Sequence, residues 1–103
     1  MFEQRIQKGI DLLNRRCPGW IEKINLDNLD MMCTENCILG QLFLNYDRGL
    51  KKLILLSGEK YGFNPSDHFI DMISAVEAYN TLTTEWKNEV SSMLTVIINE
   101  TRE

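Results

Sequence analysis

The chain has 103 residues, 44% of them hydrophobic, and its 11 Lys and Arg stand against 15 Asp and Glu for a formal net charge of −4. That length allows one domain over residues 1–103, and the apolar fraction excludes a disordered chain. No run approaches the roughly 18 apolar residues of a membrane helix, and Met1-Phe2-Glu3-Gln4-Arg5 lacks the apolar stretch of a secretory signal, so a cytoplasmic location is the expectation.

In chain order, Phe2, Ile6, Ile10 and Leu13 recur at helical spacing and predict a helix over 2–16, with Arg5, Lys8, Arg15 and Arg16 on the opposite side. Cys17-Pro18-Gly19 ends it, because proline disfavours helical geometry in the residue before it. Residues 20–32 read as an irregular connector that buries Trp20, Ile24, Leu26 and Leu29. A second helical region begins near Asn36, capped by Thr34, with Ile38, Leu39, Leu42, Phe43 and Tyr46 on its stripe. Gly40 inside it marks close passage of another backbone. Asn45-Tyr46-Asp47 breaks that helix and Asp47 caps the next, which turns Leu50, Leu53, Ile54 and Leu56 inward. Ser57-Gly58 closes it, with Gly58 in a left-handed position.

Tyr61-Gly62-Phe63 is a turn. Asn64-Pro65 then reads as an N-cap with proline at the first helical position. The helix so started, about 65–79, buries Phe69, Met72, Ile73, Val76 and Tyr79. Asn80 and Thr81 interrupt it, and Thr83 caps a last helix over about 84–100 whose stripe is Leu82, Trp86, Val90, Met93, Leu94 and Ile97. The expectation is an all-α domain of four to five short helices with an irregular connector at about 20–33. Trp20, Phe43, Leu50, Phe69, Trp86 and Val90 form its core.

Chemistry-bearing residues are sparse. Cys17, Cys33 and Cys37 are an odd number, which suits reduced thiols better than a disulfide scaffold. With His68 they could form a four-ligand zinc set by count, but the spacing matches no zinc finger, and no metal or cofactor is expected. His68 is the sole histidine, and nothing places it beside a cysteine as a nucleophile's base. Asp27 with Asp30, and Asp67 with Asp71, read as exposed neighbours rather than an acid–base pair. Phosphate-binding glycine loops are absent. The expectation is therefore a non-enzymatic protein.

The charge is unevenly placed. Residues 1–60 carry nine basic and eight acidic side chains, and residues 61–103 carry two and seven. Between Lys60 and Lys87 there is no Lys or Arg, while Asp67, Asp71, Glu77 and Glu85 lie there. This disfavours direct duplex binding, which needs clustered cations. It makes those four acids the candidate partner-binding surface. Arg48, Lys51 and Lys52, with Tyr46, are the alternative candidates for holding a small anionic ligand.

Three stretches read together carry a resemblance: Pro18-Gly19-Trp20 with Ile24-Asn25-Leu26-Asp27-Asn28-Leu29; Cys37-Ile38-Leu39-Gly40-Gln41-Leu42-Phe43 with Tyr46 and Gly49-Leu50; and Tyr61-Gly62-Phe63 with Leu82-Thr83-Thr84-Glu85-Trp86-Lys87. Over most of residues 10–90 the chain resembles a family of small uncharacterised proteins of phages, mobile elements and Gram-positive bacteria. Cys17 before Pro-Gly-Trp and the Cys33–Cys37 separation depart from its pattern. The resemblance implies a setting in which small proteins bind stoichiometrically. One expectation is an inhibitor of a host defence protein, such as a nuclease effector, engaged by the acidic stretch. Another is a sponge for a small nucleotide signal, built on Arg48, Lys51 and Lys52, with a homodimer allowed. A housekeeping interaction protein is the third.

Overall fold

A computed structural model describes residues 1–69 and 71–101, with side chains through Ile97. The chain is all-α, as expected: no strand occurs among the described residues. Helix α1 spans Glu3–Arg16, α2 Ile38–Phe43, α3 Tyr46–Lys52 and α4 Met72–Thr101. Short 3₁₀ turns occupy Trp20–Lys23, Leu26–Asn28 and Glu59–Tyr61.

Helix α1 follows its stripe. Phe2, Ile6, Ile10 and Leu13 are all buried, and so is the off-stripe Leu12. The chain leaves it through Gly19 at φ +83°. The connector is two tight turns rather than extended chain. It buries Trp20, Ile24 and Leu29, while Leu26 is half-buried. The Trp20 indole N–H donates to Asn14 Oδ1 at 2.8 Å, which satisfies the one polar atom of a buried ring.

The caps of α2 and α3 differ from expectation. Cys37, not Thr34, caps α2: its Sγ accepts from Gly40 N at 3.2 Å. The carbonyls of Thr34 and Glu35 pass against Gly40, the close approach that a mid-helix glycine announces. Asn45, not Asp47, caps α3 by accepting from Arg48 N at 2.8 Å. Of the four residues expected to turn inward here, Leu53 is buried and Leu50 half-buried, while Ile54 and Leu56 point to solvent. The left-handed residue there is Ile54 at φ +57°, whereas Gly58 sits at φ −89°.

Two glycines let the Glu59–Tyr61 turn lie on α1. Gly62 takes φ +71°, and a Cβ on it would come within 2.9 Å of Ile6 N. A Cβ on Gly9 would strike the Tyr61 carbonyl. The contact brings Phe63 to Trp86, stacked at 6.0 Å, and Trp20 meets Trp86 edge-on at 6.4 Å. The Trp86 indole N–H donates to the Gly62 carbonyl at 2.6 Å. These three rings are the centre of the core. Phe43 and Leu50, expected there, are half-buried, and Phe69 is exposed.

The largest departure is α4. The helix expected from Pro65 does not form; residues 63–69 are irregular and α4 starts at Met72. Asn80 and Thr81 do not interrupt it. It runs for 30 residues, about 45 Å at the helical rise, along a molecule 50 Å long and 26 × 23 Å across. Leu82, Trp86 and Val90 are fully buried and Met93 and Leu94 partly so, but Ile97 is exposed. At the other end Val76 and Tyr79 are half-buried, and Met72 and Ile73 are exposed rather than buried.

Candidate functional site

The start of α4 gathers acids and uncovered apolar side chains. Asp71 accepts from Ser74 N at 2.7 Å and so caps the first turn. That bond, first of all, holds its carboxyl below the usual aspartate range. Asp67 accepts from Ser57 Oγ at 2.8 and 3.0 Å and from Asn64 Nδ2 at 3.2 Å. The Ser57 bond is the main cause of its lowered pKa. Both carboxylates therefore stay ionised at neutral pH while remaining exposed. Between and after them stand Phe69, Met72 and Ile73, with Met72 71% and Ile73 73% exposed. Glu77 is exposed on the next turn and lines an open groove of about 260 Å³ with Met1, Phe2, Ser74, Ala78 and Thr81.

Glu85 does not share this surface. Its side chain is only 17% exposed, and Oε1 accepts from the amino group of Met1 at 3.0 Å and from Phe2 N at 2.8 Å. Its Oε2 is buried with no hydrogen-bond partner. The amino group also meets Glu3, and the two acids raise its pKa, Glu3 chiefly. Of the four acids named from sequence, the structure thus presents three outward and turns the fourth toward the start of the chain.

The alternative set is divided. Arg48 and Lys51 line an open cleft of about 600 Å³ with Thr34, Glu35, Asn45 and Asp47, so two acids share it with two cations. Lys52 is exposed but not on that lining. Tyr46 turns inward and donates to Asn64 Oδ1 at 2.5 Å; burial, first of all, pushes its phenol up to about 12. It lines a separate small cavity of about 60 Å³ with Met31, Met32, Thr34, Cys37, Phe63, Asn64 and Tyr79.

The three thiols are free, and among the described residues no three His, Cys, Asp or Glu side chains converge as a metal site requires. Cys37 is buried, donates to the Thr34 carbonyl at 3.7 Å, and has its pKa raised chiefly by that burial. His68 lies on the irregular segment and not on a helix; its backbone N–H donates to Ser66 Oγ at 3.1 Å. No helix among the described residues is long and apolar enough to cross a membrane.

What the sequence reading missed is apolar. Phe69, Met72 and Ile73 fit a buried stripe in the sequence yet stand exposed in the fold. A signal for the true start of α4 was present: Asp71 stands three residues before Ser74, a capping spacing that competes with Asn64-Pro65. No protein-family model, curated protein or solved structure matches the chain.

Proposed function

We propose that this chain is a non-catalytic binding protein that captures a partner protein stoichiometrically through the acid-rimmed start of α4. One observation carries the reading: two large aliphatic side chains, Met72 and Ile73, stand uncovered among Asp67, Asp71 and Glu77, in a stretch with no Lys or Arg. Carboxylates steer a cationic surface and set its register, while desolvated apolar anchors hold it. In the setting that the resemblance implies, the partner is a defence protein of the host cell, and the basic channel of a nuclease effector has the matching chemistry. A second reading, a sponge for a small nucleotide, draws on Arg48 and Lys51 sharing one cleft, and is weakened by Glu35 and Asp47 on the same walls.

The test compares the native chain with two variants, Asp67→Lys/Glu77→Lys and Met72→Ser/Ile73→Ser, as bait in lysate from a defence-bearing host. Circular dichroism checks that each variant is folded. The expected result is a basic protein captured at fixed stoichiometry by the native chain and lost from both variants. Equal capture by all three would sink the proposal. A nucleotide retained in native mass spectrometry, with no protein captured, would favour the sponge.

A further inference from the structure

A second uncovered apolar surface adjoins the first and carries the opposite charge. From the last turn of α3 onward the chain reads Lys51-Lys52-Leu53-Ile54-Leu55-Leu56. Its side chains alternate: Leu53 is buried, Ile54 is 81% exposed, Leu55 is half-buried and Leu56 is fully exposed. Ile54 is held in the left-handed region at φ +57°, a conformation a β-branched residue rarely adopts. The backbone there is fixed by Ile54 N donating to Lys51 O at 3.1 Å and Leu55 N to Leu50 O at 2.8 Å. In sequence Lys51 and Lys52 lead into this loop and Lys60 follows it; Lys51 shares a cleft with Arg48, Glu35 and Asp47, and Glu59 faces Arg5 at 4.0 Å. The two surfaces touch, because Ser57 at the end of the loop donates to the Asp67 carboxylate.

We infer that these adjoining patches form one self-complementary face, and that its occupant is a second copy of the chain, related by a two-fold axis. In that arrangement the cationic loop of each copy lies on the acidic α4 start of the other, and aliphatic meets aliphatic in both halves. Ile54, Leu56, Met72 and Ile73 are each more than two thirds exposed and Phe69 is 37% exposed, so each half of the face has uncovered apolar side chains to bury. Charge complementarity selects this occupant over two others. An anionic lipid surface would suit the lysines and Leu56 but would meet the ionised Asp67 beside them. A nucleic acid needs free aromatic rings to stack on, and Phe69 already packs against Tyr79, which leaves aliphatic tips.

The inference rests on the α4 start being a docking surface, as proposed above, but not on who the target is. If it holds, pairing hides that surface, and target capture competes with self-association.

Sedimentation velocity over a range of concentrations and salt tests it. For the native chain, the mass should rise from 12.0 kDa toward twice that value with concentration. The midpoint concentration should increase at least about tenfold between low and high salt, because exposed charges are screened. Lys51→Glu/Lys52→Glu and Asp67→Lys/Glu77→Lys should each be monomeric alone, and their mixture should recover a dimer of one of each. Leu56→Ser should weaken pairing about tenfold. A chain that stays monomeric at millimolar concentration overturns the inference. So does a dimer that neither charge reversal disturbs, or a monomer that floats with phosphatidylserine vesicles. The two readings separate cleanly. A monomeric native chain whose target capture still depends on Asp67 and Glu77 overturns only the pairing. A dimer whose Asp67→Lys/Glu77→Lys variant captures target normally overturns only the target reading.

Discussion

Thr83 uses one hydroxyl twice. It donates to the Tyr79 carbonyl one turn back at 2.8 Å and accepts from Met31 N at 2.9 Å. In sequence, a threonine before an apolar stripe reads as a cap, since its oxygen suits an orphan helical N–H. The N–H it meets lies 52 residues away, and no local pattern announces that. Cys37 is similar: α2 starts at Ile38, so the cap position falls on a thiol, while Thr34 lies three residues earlier and its carbonyl accepts from Tyr46 N at 2.8 Å. Asp67 shows how the irregular segment is held, and its chemistry is testable. Its carboxyl is depressed below the usual 3.8, so the stability it contributes is present above that value and is lost as pH falls through the folded value. Asp67→Asn should therefore be less stable than the native chain at about pH 6. The gap should close progressively below the usual value, measured by urea melts across that range. A gap that persists unchanged to the most acid point would show that the Ser57 and Asn64 bonds act without the charge.

At the scale of elements, the buried stripes were legible and the ends were not. Phe2 at the cap of α1, Ile6, Ile10 and Leu13 within it, and Leu82, Trp86 and Val90 in α4, lie inward as their spacing predicts. Helical spacing reports a face, not whether anything covers it. The stripe of α4 continues to Met72 at one end and Ile97 at the other, and both are exposed. Asn80 and Thr81 have poor helix propensity, yet the cost of a few tenths of a kcal/mol each is small beside the burial of Leu82 and Trp86 around them. Asn64-Pro65 signals a helix start, but Asn64 is buried and its side chain is committed to Tyr46 and Asp67. This gives a contrast at two positions of one helix. Leu82→Ala should cost about 2–5 kcal/mol in denaturant unfolding, because it opens a cavity beneath the core. Ile73→Ser should change stability by no more than about 0.5 kcal/mol, as an exposed position does. A comparable loss at both would mean that the start of α4 is packed after all.

Across the whole molecule, the acidity assigned to residues 61–103 acquires a shape. Asp67, Asp71 and Glu77 sit at one end of a helix that runs about 45 Å of the 50 Å length, beside a cationic loop from the other half of the chain. Sequence could place the charge along the chain, but not fold the loop at 51–56 against Asp67. Coverage along α4 is uneven, and local opening follows coverage. The middle of the helix is backed by Trp20 and Phe63, and Met31 is tied to Thr83. Toward the start, Phe69 lies against Tyr79 with ring centroids 6.1 Å apart, while Met72 and Ile73 are exposed. Amide hydrogen exchange on dilute protein should therefore be slowest at 82–90 and faster at 74–78 and 94–97. Raising the protein concentration, or adding a captured partner, should slow exchange at 74–78 and leave 94–97 unchanged, because only the first of these adjoins the acid-rimmed surface. Uniform protection along α4 in dilute protein would mean that the start of the helix is already covered within one copy. It would then have no free face to offer to any partner.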